Sequence, residues 1–491
     1  MPHTRRKFLQ SSATLAVGFA GLQRFVAGGE IDSPCRDASA LRSIDLGPRD
    51  VGPLTPDPNR LLDLPRGFSY RIVSRSGETM SDGFLVPAAA DGMATFAGPD
   101  GLTVVIRNHE VDPSQQGPFG AAAQLLDKVD SDFLYDLGET GKPCIGGTTT
   151  LVYDTKNQQL VKQFLSLTGT VRNCAGGPTP WGTWITCEEA TDRPGVNVYG
   201  GIETFCQQYH GFNFEVPAAR IGLDGVGLNK AVPLKAMGRF RHEAVAVEPK
   251  SGIVFQTEDV DDSLIYRYIP VQPGALGAGG KLQSLALVEH PSADTRNWSD
   301  EAVVAVGGQH AVKWIDLDDV LSPEDDLRYQ GFADGAARFA RGEGMWYSGG
   351  AIYFACTSGG SARLGQIWKY TPSVLEGQAG ESAAPGKLEL YIEPNNSKLV
   401  ANADNLTAAP WGDLVVCEDR VANEAELIDQ VRLVGVTPAG EIYTLAHNHA
   451  LTEFAGACFS PDGSTLFVNL QKEGITLAIT GPWPRRNRAV S

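Results

Sequence analysis

Short apolar runs, each opened by a glycine, recur along this chain of 491 residues. They read GLTVVIRNHE from Gly101, GTWITCEE from Gly182, GIVFQTED from Gly252, GAIYFACTSGG from Gly350, GDLVVCED from Gly412 and GSTLFVNL from Gly463. Runs of this length bounded by Gly and Pro are strand signals. Two of them match closely: PWGTWITCEE over 180–189 and PWGDLVVCED over 410–419 place Pro-Trp-Gly and Cys-Glu-acid at the same offsets. Repeated units too short to stand alone read as blades, so the pattern predicts an all-β chain forming a single β-propeller of six blades. Further strand signals are FSYRIVS after Gly67, TTTLVYD after Gly147 and GRFRHEAVAV over 238–247. Helical patterning is confined to AAAQLLDKV over 121–129. Residues 192–235 read as a long excursion, 270–300 and 315–330 as surface loops, and 373–387 as a linker.

Composition supports this. The 56 Gly and 30 Pro residues favour many strands and tight turns over helical bundles. The formal charge of −17 argues against a nucleic acid partner and for attraction of cations. At the N-terminus, TRRKFLQ over 4–10 followed by a short run of small and apolar residues looks like a twin-arginine export signal over 1–28. That run is too short for an ordinary spanning helix, so no stable membrane span is expected in the mature protein. The expectation is therefore a periplasmic or secreted protein, handled by the twin-arginine machinery, with an N-terminal arm over 29–65 and a propeller body with loop insertions over 66–491. Of eight cysteines, Cys187, Cys356 and Cys417 fall at like strand positions and read as buried small residues. Cys174 differs, lying in the glycine-rich loop RNCAGGPTPWG. Cys35, Cys144, Cys206 and Cys458 carry no assignment.

Strand parity supplies the candidate chemistry. Residues two apart in a strand share a face. The position seven after the opening glycine is Asn108, Glu189, Asp259 and Asp419 in four of the runs, and Glu110 shares the face of Asn108. If these strands line a channel, their carboxylates converge on one small volume and require cations to stay ionised. Cys174 with Glu189 places a soft ligand close to hard ones, which suggests a metal site; a buried cysteine beside a solvated acidic strand end is the blander alternative. In GRFRHEAVAV, Glu243 enters an apolar strand and needs a partner or a metal, whereas His242 reads as a satisfied strand-edge histidine. In ARFARGEGMW, Arg341 and Glu343 flank one glycine and face the same side. An arginine beside metal-binding carboxylates suits an oxyanion such as phosphate, and a local surface ion pair is the alternative.

The segments RNCAGGPTPWGTWITCEE, GRFRHEAVAV, ARFARGEG, ADNL and the terminal FVNLQ and TLAITGPW resemble the PhoX-type alkaline phosphatases, intermittently from Asn108 to Trp483. The chain looks like a divergent, shorter member: Gly342 stands between Arg341 and Glu343 where proline is expected, and Asn405 follows Asp404 where glycine is expected. The resemblance implies an exported β-propeller that uses ferric iron and calcium to hydrolyse small phosphate monoesters. It implies that Cys174, Glu189 and Glu243 serve the iron, that Glu110, Asp259, Glu343, Asp404 and Asp419 complete the calcium and iron shells, and that Arg341 holds the phosphate. Two other classes are compatible with converging acids alone: a calcium-dependent propeller hydrolase such as a lactonase or phosphodiesterase, and a non-catalytic calcium-binding propeller of the cell envelope. Neither requires Cys174.

Overall fold

The computed structural model describes residues 43–44, 52–218, 227–299, 304–420, 431–450 and 452–484. The expected export signal, Cys35 and most of the expected arm lie outside these residues.

The repeated glycines fold as turn residues. In Thr179–Gly182, Ala409–Gly412 and Ser460–Gly463 the glycine N–H donates back to the first carbonyl at 3.2, 2.9 and 2.8 Å, with glycine φ of +82°, +105° and +72°. Pro180, Pro410 and Pro461 hold φ at the second position, so each turn reverses the chain into the next strand. The result is an all-β molecule whose one α-helix among the described residues is Leu327–Ala333. That helix falls where a surface loop was expected. No helix of the described residues is long and apolar enough to cross a membrane.

The strands form antiparallel sheets in a propeller-like arrangement. Ala90–Ala97, Thr103–His109, Gly146–Asp154 and Gln159–Thr170 make one sheet, and Asn173–Pro178, Thr183–Glu188 and Asn213–Pro217 the next. His242–Val247, Val254–Glu258, Ile265–Pro270 and Gly280–Leu287 continue through Gln309–Asp316 into Lys387–Ile392, Gln366–Thr371, Ala351–Cys356 and Gly342–Ser348. Ala403–Ala408, Leu414–Glu418, Val431–Val436 and Ile442–Asn448 follow, extended at the outer edge by Leu62–Pro65. The last sheet holds Phe454–Phe459, Thr465–Leu470 and Ile475–Thr480, and Ser69–Arg75 from the start of the chain completes it. The leading strands Ala90–Ala97, Asn173–Pro178, His242–Val247, Gly342–Ser348, Ala403–Ala408 and Phe454–Phe459 pack each against the next, and the last against the first. Ser69–Arg75 is the outer strand of that sheet, so an early segment and a late one share it and the succession of sheets is closed.

Three local expectations need correction. Residues 270–300 contain the largely buried strand Gly280–Leu287. Residues 121–129 form turns and a 3-10 segment, Leu126–Lys128, because the patch packs under a loop without enough length for a stable helix. The expected linker 373–387 is anchored: Glu376 and Glu381 accept from the buried Arg267 at 2.6 and 2.5 Å, and Tyr370 donates to Glu376.

Candidate metal centre

Each leading strand breaks register with its neighbour near its start. The shifts fall between Ala90 and Met93, His242 and Val245, Gly342 and Met345, Ala403 and Leu406, and Ala455 and Cys458. In the second sheet Asn173 and Gly176 pair with Glu188 and Thr186, which leaves the same extra residue. A bulge sets two residues against one and re-aims a side chain. The first bulged residues are Asp91, Cys174, Glu243, Glu343 and Asp404, with Gly456 in the last sheet. The second bulged residues, Gly92, Ala175, Ala244, Gly344, Asn405 and Ala457, are small and line a central cavity. Little room exists there: a Cβ on Gly92 would meet the Ala175 Cα at 2.5 Å, and one on Gly344 the Asn405 Cα at 2.7 Å.

A second set of carboxylates comes from the ends of the neighbouring strands. The N–H groups of Glu110, Glu189, Asp259 and Asp419 donate to the carbonyls of Ala89, Arg172, Arg241 and Asn402 at 2.9 to 3.1 Å. Ala89, Arg172 and Asn402 take φ of +45°, +46° and +53°, as does Arg341 at +52° at the corresponding place. Left-handed residues other than glycine cost roughly 1–3 kcal/mol each and persist where the surroundings impose them. Here that strain is spent at the residue that leads into the site.

Alternation along the strand explains the acid doublets. Glu188, Glu258 and Glu418 end their strands and turn away from the channel, where backbone N–H groups hold them: Gly211 and Phe212 on Glu188, Leu264 on Glu258, Ala401 and Arg432 on Glu418. The next residues, Glu189, Asp259 and Asp419, therefore face inward. Asn108 does not share their place. Its strand runs two residues further from the opening glycine, so Glu110 takes the equivalent position, and Asn108 donates to the carbonyls of Cys174 and Ala175. His109 and His242 are buried against backbone carbonyls, of Ala88 and Gly238, and take no part in the cluster.

The residues singled out in the sequence fall into neighbouring groups, linked by shared members or by an arginine. Sγ of Cys174 and carboxylate oxygens of Glu189 and Glu243 lie within 4.8 Å of one another, as do carboxylate oxygens of Glu243, Glu343 and Asp404. Arg341 links this group outward: Nε and Nη2 donate to Asp259 at 2.8 and 3.1 Å, Nη2 to Glu343 at 2.5 Å, and Nη1 stands 3.7 Å from Asp419. Three participants are not among the residues expected from the sequence. Asp91 and Glu453 form a further group with Glu110, again within 4.8 Å. Arg172 pairs with Glu110, with Asp112 at 2.9 Å and with Glu189 at 2.5 Å. The triplet Asp91-Gly92-Met93 repeats Glu343-Gly344-Met345, a signal that could have found Asp91. Glu453 sits outside the bulge pattern and has no such signal.

Burial and mutual repulsion of the acids dominate the electrostatics of the cluster. Burial, then Asp404, pushes Asp91 up to about 7. Burial lifts Glu110 to about 8 even though Arg172 opposes it, and burial with Asp419 lifts Asp404 to about 7. Burial and neighbouring carboxylates also drive Glu189, Glu243, Glu343 and Glu453 above the usual carboxylate range. The Cys174 thiol is pushed up by burial and then by Glu243 and Glu189. The carboxylate of Glu243 faces other acids, Glu189, Asp404, Asp91 and Asp259. A donor set of many oxygens and one sulfur, served by the two arginines Arg172 and Arg341, fits more than one bound cation.

The family model described as alkaline phosphatase PhoX matches residues 49–474. Among solved structures, PhoX of Pseudomonas fluorescens in complex with vanadate, a transition state analogue, superposes with a TM-score of 0.62 at 17% identity, covering 86% of this chain and 96% of that one. The gluconolactonase XC5397 of Xanthomonas campestris matches with a TM-score of 0.35 at 11% identity, over 88% of this chain and 99% of that one. A search of curated proteins found no match. With the family model matched over most of its length, the chain belongs to the PhoX alkaline phosphatase family.

Proposed function

We propose that this protein is an exported phosphatase that hydrolyses phosphate monoesters at an iron and calcium centre in the channel of a six-bladed propeller. The observation that carries the reading is the meeting of Cys174, Glu189 and Glu243 within 4.8 Å, beside Glu343 and Asp404. The count of six blades is supported by the closed succession of leading strands, each with a bulge at the same depth. A body beginning near residue 66 is supported by Ser69–Arg75 completing the last sheet, and an arm outside the channel by Leu62–Pro65 pairing at a sheet's outer edge. Export by the twin-arginine route, to the periplasm or beyond, rests on the basic leader alone.

Cys174, Glu189 and Glu243 would hold ferric iron. Glu110, Asp259, Glu343, Asp404 and Asp419, with Asp91 and Glu453, would complete the iron and calcium shells. When bound, these ions supply Lewis acidity to the phosphoryl oxygens and neutralise charge that develops on them. Cys174 acts as a ligand rather than a nucleophile, because its buried sulfur is hemmed in by the carbonyls of Cys187, His242 and Glu243 and lies among the carboxylates that would share its metal. Arg341 orients the ester. Its side chain is 32% exposed, and its Nη1 is the nitrogen least engaged by carboxylates, at 3.7 Å from Asp419. A planar guanidinium fixed on one edge by Asp259 presents its other edge to a phosphoryl oxygen in a set direction. Arg172 stands across the cluster and adds positive potential for an anionic substrate. The vanadate held by the Pseudomonas relative is a mimic of the same transferring group.

Elemental analysis of natively exported protein, paired with turnover of a generic aryl phosphate, tests the proposal. Iron with calcium and release of phosphate are expected. Calcium without iron, together with hydrolysis of a lactone or a phosphodiester and not of the monoester, would replace it.

A further inference from the structure

The outward-facing acid at the end of a second strand is answered by a basic side chain in three sheets. Arg328 approaches Glu258 at 3.4 Å, Arg432 meets Glu418 at 2.5 Å, and His210 meets Glu188 through Nδ1 at 2.6 Å. A histidine has a second nitrogen to place. Nε2 of His210 points away from Glu188, to Asp136 Oδ2 at 3.1 Å and Cys144 Sγ at 3.9 Å. Cys206 Sγ lies 4.0 Å from Cys144 Sγ, and both thiols are free. Ligand atoms of these four residues all fall within 4.8 Å of one another.

We propose that Asp136, Cys144, Cys206 and His210 form a second metal site, distinct from the channel centre, that takes one zinc ion or a similar borderline divalent cation. A tetrahedral ion with bonds of about 2.3 Å to sulfur and about 2.0 Å to nitrogen spaces its sulfurs by about 3.8 Å and sulfur from nitrogen by about 3.5 Å. The observed 4.0 and 3.9 Å match that polyhedron within a few tenths of an ångström. The supporting groups are in place as well. Glu188 takes the far nitrogen of His210 and sets its tautomer, the arrangement that orients histidine ligands. N–H groups of Gly138, Gln207 and Gln208 fix the Asp136 carboxylate. A disulfide is the competing fate of two cysteines in an exported protein, but it would bring the sulfurs to about 2.05 Å and leave His210 and Asp136 without a role.

The position gives the ion a task. Cys206 pairs with Gly195 at the root of the hairpin Gly195–Tyr199 and Ile202–Cys206. At the tip, the Tyr199 ring lies 4.5 Å from the Arg172 guanidinium, and its hydroxyl contacts Arg172 Nη1. An ion bound at the root ties this hairpin to residues 136–144 and holds Tyr199 against Arg172, which pairs with Glu110 and Glu189 of the channel centre. The site does not depend on the phosphatase reading, because none of its four ligands belongs to the channel cluster.

The test uses the full chain. Purified protein is incubated with Zn²⁺ alone, desalted and analysed for zinc, and its thiols are alkylated after denaturation without reductant and located by mass spectrometry. One zinc per chain should be lost in the Cys144→Ser, Cys206→Ser double variant, and both thiols should be alkylated in the wild type. Replacing zinc with Co²⁺ should give thiolate-to-cobalt charge-transfer absorption that survives in the Cys174→Ser variant and vanishes when Cys144→Ser and Cys206→Ser are added to it. A Cys144–Cys206 disulfide in the native protein, or zinc content unchanged in the double variant, overturns the proposal. Should the double variant fail to fold, the wild-type thiol map and zinc content still decide, since a disulfide or an absence of zinc would each refute it.

Discussion

Arg341 and Asp259, 82 residues apart, are joined by two parallel hydrogen bonds, Nε to Oδ1 at 2.8 Å and Nη2 to Oδ2 at 3.1 Å. A lysine cannot reproduce that fork. Arg341→Lys should lower kcat/KM for an aryl phosphate by about 100-fold, the scale expected when one aimed donor to a developing charge is lost. Iron and calcium content should stay near wild type. Parallel loss of metal would show that Arg341 holds the ligands together and does not address the substrate.

Cys174 contributes a thiol sulfur to the channel cluster. Cys174→Ser should reduce bound iron and aryl phosphate turnover together while leaving the thermal transition of the folded chain largely in place. A serine variant with full iron and full activity would remove the thiolate from the site.

Glu243→Gln should act with opposite signs on stability and on metal binding. The carboxylate is buried among Glu189, Asp404, Asp91 and Asp259, which raise the cost of its charge. Removing that charge should raise the Tm of chelator-treated protein, while metal-loaded protein loses activity and ions. A fall in Tm under chelation would mean that the carboxylate has a stabilising partner in the chain itself.

The chelated protein should also depend on pH in a set direction. Asp91 and Glu110, lifted to about 7 and about 8, hold protons in the folded chain that the unfolded chain releases near its ordinary carboxyl values. A raised folded value stabilises below the unfolded value and loses that contribution as pH rises through the folded one. Tm of chelated protein should therefore fall between about pH 5 and about pH 9, and bound cations should flatten the slope. Equal slopes with and without metal would contradict the site.

Gly344→Ala tests the packing of the bulges. The added Cβ would lie 2.7 Å from both the Asn405 Cα and the Asp404 carbonyl oxygen, backbone atoms that cannot swing aside. A loss of about 1–3 kcal/mol is expected, from overpacking, together with weakened metal binding as Asp404 is displaced. Wild-type Tm and metal content in this variant would show that the bulge has slack.

The sequence by itself determined the local pieces. Pro-x-Gly turns and apolar runs are set by φ preference and burial, both properties of a few adjacent residues, so the strands that carry Glu189, Asp259 and Asp419 and the inward face of those acids were legible. The cysteine loop and the family segments pointed to Cys174, Glu243, Glu343, Asp404 and Arg341. Tertiary structure decided the rest. Ser69–Arg75 joins Ile475–Thr480 because only the closed ring makes that edge available, a pairing across some 400 residues that no local pattern encodes. Glu110 rather than Asn108 reaches the centre because its strand is longer, and a count from glycine cannot see strand length. The bulges were invisible for the same reason: a register shift exists only between two strands, and it alone turns Asp91 into the channel. Arg172 gathers Glu110, Asp112 and Glu189 from separate stretches of chain, a convergence that arises only when the sheets pack around a common axis.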